Sequence, residues 1–372
     1  MPSRAPCPRH AAAAGMTEIR ALTGARGLAA WLVVLFHIRG SIAGVPAGLI
    51  RVLDKGYLAV DFFFLLSGFV IWLAWHERLR DRRAIPAFLL KRVLRVWPLH
   101  AVMLAALVTI VAAQGVLGHP VGAQFPYRDL PLHLLLTQDW GLVPPTTWNV
   151  PAWSISAELV AYALFPLLVL TIDWRRCPTP VVLLGVAVPL AALAWAMRGE
   201  TMLGQDIAGF GVLRCVTEFA AGTAVGALWL RWRGDVSARW PMLAAAVGGV
   251  ALAIGAPEVV DAPATLAALL LALALGAGTP GHVLEGRTVH WLGTISYATY
   301  LSHYVLWHAF KLVAVRNVAD VPPLSIAIFL ALVLAASACL YTYVEVPAQR
   351  WRGVRGWSPR SSPARGGGAP QA

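Results

Sequence analysis

The chain has 372 residues, 58% of them hydrophobic and 13% charged, with a mean hydropathy of +0.67. A soluble protein averages about 45–50% apolar and about 25% charged residues, so a soluble globular enzyme is excluded. The formal charge of +12 does not mark a nucleic-acid binder, because the basic residues sit in particular loops between apolar blocks, as the positive-inside rule describes.

The apolar blocks run roughly 17–23 residues, the length at which a helix crosses a hydrocarbon core. They predict an all-α fold, a polytopic membrane helical bundle of about ten transmembrane helices, in one domain over residues 19–346. Residues 1–18 and 347–372 read as disordered tails. Met16 is an alternative start. The first apolar block is not expected to be a cleavable signal, because it carries the Arg26/His37 pair. The spans are placed near 22–41, 56–76, 97–117, 151–172, 180–197, 208–230, 241–256, 263–277, 291–310 and 323–345. The seventh and eighth are short and rich in Gly and Ala, which suits close packing through small residues. With the N-terminus inside, 22 Lys and Arg fall on the inner side and 7 on the outer, with Arg214 within a span. This bias places both termini in the cytoplasm. Cys7, Cys177, Cys215 and Cys339 are scattered, so neither a disulfide framework nor a metal site is expected.

Ionisable groups within spans are costly and mark chemistry or transport. The first span carries Arg26 and His37, eleven residues apart. Eleven helical steps return to nearly the same face after a rise of about 16 Å, so the histidine stands above the arginine in the outer half. The second span runs inward and carries Asp61 near the depth of His37, with Ser67 about 9 Å further in. A carboxylate beside a histidine fixes its tautomer and raises its basicity, as a general base requires. Asp61 serves equally as a helix N-cap. The inner segment 77–96 is basic and interfacial. It reads either as a topology signal on anionic lipid or as a phosphate site, because Arg92 and Arg95 lie on one helix face and can clamp one anion. The outer loop, roughly 118–150, carries His119, Phe125, Tyr127, Trp140 and Trp148, followed by Trp153, as interfacial anchors or as an acceptor surface. Glu158 lies two turns into the fourth span. Arg214 and Glu218 in the sixth are spaced to neutralise each other. Tyr300 and His303 lie in the ninth, His303 serving equally as a core histidine.

No Walker A motif, nucleotide-binding glycine fingerprint or Gly-x-Ser-x-Gly elbow is present, which sets aside an ATPase and a serine hydrolase. The buried ionisable groups leave two classes open: a membrane transferase, and a proton-coupled secondary transporter or exporter. No inverted repeat or pair of broken helices supports the second.

From Ile19 to Trp351 the chain resembles the membrane acyltransferase-3 family, bacterial O-acyltransferases acting on polysaccharides or macrolides. Arg26 and His37 match its Arg-x10-His motif, and Phe63-Phe64-Leu65-Leu66-Ser67-Gly68 its Phe-Phe-x-x-Ser-Gly motif. Arg92-Val93-Leu94-Arg95 matches Arg-x-x-Arg. Trp153 to Glu158, Ser296 to His303, and Tyr343-Val344-Glu345-Val346-Pro347 resemble three more signatures. The family often has Asp-Gly-Leu-Arg entering the first span, where this chain has Thr23-Gly24-Ala25-Arg26. The resemblance implies a bacterial inner-membrane enzyme with no tightly bound cofactor. It uses acyl-CoA, usually acetyl-CoA, as co-substrate, and its acceptor is a carbohydrate, a lipid-linked sugar or a macrolide. On that reading Arg26, Lys91, Arg92 and Arg95 form a basic mouth for the CoA phosphates. His37, oriented by Asp61 or Glu158, is the general base. Ser67 and Tyr300 donate to the oxyanion, and Arg214 and His303 support the site. An acyl-histidine intermediate is the alternative route.

Overall fold

The computed structural model describes residues 18–144, 146–279 and 282–350. The proposed tails fall almost wholly outside them. Among the described residues the chain is helical and has no strand. Its one extended pairing is a bridge between Ile42 and Val321.

The helices in chain order are α1 (Arg20–Ile38), α2 (Ala47–Asp54), α3 (Ala59–Trp75), α4 (Ile85–Val116), α5 (Leu130–Leu135), α6 (Ala152–Thr171) and α7 (Thr179–Ala196). They continue with α8 (Ile207–Trp232), α9 (Arg239–Ala253), α10 (Glu258–Leu275), α11 (Arg287–Thr294), α12 (Ser296–Ala314), α13 (Pro323–Leu340) and α14 (Val346–Gln349). Each of the ten expected spans has a helix at its position. Eight helical stretches are long and apolar enough to cross a membrane. The other two expected spans fall short for different reasons. The helix α9 has only 15 residues, and α12 has the length but is diluted by its serines, tyrosines and histidines.

Three boundaries differ from the sequence expectation. The basic interfacial segment divides into two short 3-10 turns, Arg78–Arg80 and Arg82–Ala84, and the first turns of α4, which has Pro86 in its first turn, runs on without a break into the third span and carries Pro98 inside it. A proline there needs no N–H partner, which is why the helix begins at that point. The ninth span is two helices, broken at Ile295. The tenth ends in a π-helical turn over Tyr341–Glu345. The short helices α2 and α5 lie in segments expected as loops, α2 beside the end of α1 that carries His37 and α5 against Trp97 and His100 of α4.

Between helices in lipid the driving force is close packing rather than water exclusion. The most extensive crossing is α3 on α8, and glycine lets the two backbones meet there. A Cβ on Gly68 would sit 2.0 Å from the Phe219 carbonyl oxygen, and one on Gly222 would sit 2.0 Å from that of Leu65. The serine-glycine step of α3 is therefore a packing device as well as a polar one. It brings the polar residues of α8 directly beside those of α3.

Candidate active site

Two cavities run into the bundle from opposite ends and share Val60 and Tyr300 in their walls. The wider, of about 1060 Å³, opens at the His37 end. The narrower, of about 180 Å³, is lined by Arg26, Arg92 and Arg95 together with Ser67 and Glu158. Residues from five of the resembled motifs thus meet along one passage.

His37 sits in the last turn of α1 with its ring on the wide cavity. Its Nδ1 lies 2.9 Å from the Val33 carbonyl oxygen and 3.2 Å from Nε2 of His303. Nδ1 of His303 lies 3.2 Å from the Thr299 carbonyl oxygen. One proton arrangement, assigned from this network, satisfies every contact: both rings carry hydrogen on Nδ1, and that of His37 is shared between Val33 O and His303 Nε2. Nε2 of His37 is then a free lone pair, and it makes no hydrogen bond among the described residues. His303 is fully buried, and it braces His37 from behind.

Neither expected carboxylate touches His37. Asp61 lies at the expected depth but turns to α8, where Oδ1 accepts from Nη2 and Nε of Arg214 at 2.7 and 3.1 Å. Depth follows from residue counting, whereas the direction a side chain faces depends on the neighbouring helix, and Gly68 and Gly222 set that neighbour. For the same reason Arg214 is not neutralised by Glu218. Glu218 is fully buried, and neither of its oxygens has a hydrogen-bond partner among the described residues. Glu158 instead accepts from the Ser67 hydroxyl in the narrow cavity.

The basic segment also divides. Lys91 points away from the cavity, its Nζ 5.3 Å from the centroid of Trp75, so it does not share the expected mouth. Arg95 pairs with Glu345 of the π-helical turn and lies over Tyr297. It is therefore not free to clamp one anion together with Arg92. Arg26 donates through Nε and Nη2 to the Gly293 carbonyl oxygen, at 3.2 and 2.8 Å. Arg92 has no carboxylate partner among the described residues, and its buried Nε is unpartnered. The hydroxyls proposed for an oxyanion are occupied as well. Ser67 donates to Glu158, and the Tyr300 hydroxyl lies 2.7 Å from Ser154 Oγ and 3.0 Å from the Pro151 carbonyl oxygen. Of the aromatic residues in and after the long outer loop, Trp153 lines the wide cavity, whereas Trp148 and Phe125 pack into the loop's own core.

Two carboxylates outside the sequence-based site act on its arginines or feel their charge. Glu345 was visible in a motif, but a carboxylate near the chain's end gave no sign that it would reach Arg95. Asp139, in the loop before α6, is 2% exposed with both carboxylate oxygens unpartnered among the described residues. Burial pushes its pKa up to about 8, and the charge of Arg214 offsets part of that rise. A single acid in a long loop reads as solvated, so nothing in the sequence marked it.

A membrane helical bundle with two cavities meeting inside it, a histidine at one and arginines at the other, defines a polytopic membrane enzyme. The chain belongs to the acyltransferase-3 family, whose model, an acyltransferase domain, matches residues 19–342. It is 31% identical to Acyltransferase MdmB of Streptomyces mycarofaciens over 91% of this chain and 94% of that protein. It is 29% identical to the exopolysaccharide production protein ExoZ of Rhizobium meliloti, over 70% of this chain and 78% of that protein. A third relative, Protein 2 in the picA locus of Rhizobium radiobacter, is 34% identical over 39% of this chain and 78% of that protein. No solved structure matches the chain.

Proposed function

We propose that the chain moves an acyl group, usually acetyl, from acyl-CoA at the arginine-lined cavity to a hydroxyl of a carbohydrate or macrolide-type acceptor in the His37 cavity. The observation that carries this reading is the passage itself. His37 lines one cavity, three guanidinium groups line the other, and the two cavities share Val60 and Tyr300 in their walls. Arg92, whose charge is not cancelled by an ion pair, is the strongest holder of a CoA phosphate. Arg26 and Arg95 keep spare donors beside it. The slender pantetheine arm then runs toward the junction and presents the thioester below His37.

The chemistry balances with this chain's own groups. Nε2 of His37 accepts the proton of the acceptor hydroxyl as that oxygen attacks the thioester carbonyl. The carbon–sulfur bond breaks, and the CoA thiolate leaves with the proton that His37 returns. His303 holds the imidazole in the tautomer this needs. Positive-inside charge supports cytoplasmic termini and donor entry from the cytoplasm.

Membranes carrying the wild type should transfer label from acetyl-CoA to an endogenous acceptor. His37→Ala should lower turnover by about 10²–10⁴-fold, the usual weight of general base catalysis, with expression unchanged. Full transfer by His37→Ala would remove the central assignment. Label trapped on the protein without acceptor would replace direct transfer by the acyl-histidine route.

A further inference from the structure

The wide cavity has one incomplete wall. On that side it is lined by Gly48, Arg51 and Val52 of α2 and by Gly249, Leu252 and Ala253 of α9. The helix α2 packs on the end of α1, and α9 packs on α10. No packed interface joins α2 to α9. The two glycines mark the opening, since a Cβ on either would meet nothing within 4 Å. The α3–α8 crossing is the opposite case, since there a Cβ on Gly68 or Gly222 would collide with backbone.

The opening is flanked outside by large exposed apolar side chains. Val52 is 63% exposed and Ile254 82%, with Leu49 and Val250 beside them. A cluster of this kind at the end of a membrane bundle faces lipid. Arg51, exposed among them and in no ion pair among the described residues, is placed as a side chain that keeps its charge at the headgroup level while its stem lies on apolar surface. Beyond the opening the lining is mainly apolar, with Val33, Phe36, Leu58, Val60 and Trp153, and its charged groups are already paired, Arg39 with Asp54, Lys55 with Glu258 and Arg214 with Asp61. A hydrated sugar polymer finds few partners on such a surface, whereas an apolar body does.

We infer that the gap between α2 and α9 is a lateral portal, and that the acyl acceptor is an amphiphile dissolved in the bilayer. Its hydroxyl-bearing head enters through the portal toward His37, and its apolar body stays among the lipids. This rests on the reading that the His37 cavity receives the acceptor.

The test uses the full chain in proteoliposomes, with the native cysteines replaced and Leu58→Cys as a reporter inside the cavity. N-(1-pyrenyl)maleimide, which dissolves in the bilayer, should label the reporter. Gly249→Trp and, separately, Gly48→Trp should slow that labelling by about tenfold, while the rate for a water-borne sulfonate methanethiosulfonate is unchanged, because a sulfonate is strongly disfavoured on an apolar route. Unchanged pyrenylmaleimide labelling in both tryptophan variants would overturn the portal. A second measurement supplies labelled acetyl-CoA and wild-type protein to membranes and soluble extract of a strain lacking the gene. Label should appear in the solvent-extractable fraction and fall in Gly249→Trp without a change in KM for acetyl-CoA. Label in water-soluble polymer would overturn the amphiphile. Absence of any transferred label would instead count against the donor reading above, and the labelling rates would still decide the portal.

Discussion

A guanidinium is worth most to a phosphate when no carboxylate has already claimed it. In the basic turns of α4 that distinction separates Arg92 from its neighbours. Arg92→Ala should raise the KM for acyl-CoA by about tenfold or more, the loss of a charge-assisted contact of ~1.5–3 kcal/mol. Lys91→Ala, whose ammonium sits over Trp75, should leave KM unchanged, and equal effects from the two would return the segment to a topology signal. Glu345→Gln should act through Arg95, raising the donor KM with little change in turnover. Asp139 gives the pH prediction. Its folded-state pKa is about 8, above the ~3.9 of an unfolded chain. Between those values the folded protein holds a proton that the unfolded chain has released. Its contribution to stability therefore falls as pH rises through that window and levels off above it. Asp139→Asn should remove this part of the slope in melts of purified protein at roughly pH 5 and pH 9. An unchanged slope would show that the carboxylate is not buried. Spacing along one helix was legible at this scale, as between Arg26 and His37. The contacts of Asp61, Lys91 and Tyr300 were not, because their partners lie on other helices.

At the scale of elements, the α3–α8 crossing decides both packing and polarity. The buried Asp61–Arg214 pair is held there by backbones that touch through Gly68 and Gly222. Removing one member leaves an uncompensated charge, at a cost of about 3–5 kcal/mol. Arg214→Leu should therefore lower thermal stability sharply, and Asp61→Asn combined with Arg214→Leu should recover part of the loss. A double variant no better than the single one would mean the pair is not coupled. The positions of the ten helices were legible because apolar runs of membrane length have few alternatives. The break at Ile295 and the π-helical turn at Tyr341–Glu345 were not. Both are set by what α1 and α4 require of these segments: Gly293 must present its carbonyl to Arg26, and Glu345 must reach Arg95.

At the scale of the whole molecule, the two cavities explain why motifs scattered from Arg26 to Tyr300 belong together. They line one route, and the family signatures mark its wall. Sequence order supplied the helices and the charge bias supplied the direction. Only packing shows that the route is wide at one end, narrow at the other and crossed by Tyr300.

That crossing has an electrical consequence. Two water-accessible cavities that met without a barrier would short-circuit the membrane potential, and a protein that passes an acyl group must not pass protons or salt. Tyr300 is fastened to Ser154 and the Pro151 carbonyl, so the ring is held across the junction. Proteoliposomes carrying Tyr300→Gly should leak small ions where the wild type holds a potential, and acetyl-CoA should be hydrolysed there without any acceptor. A tight seal in that variant would assign the insulation to Val60 and the helices around it.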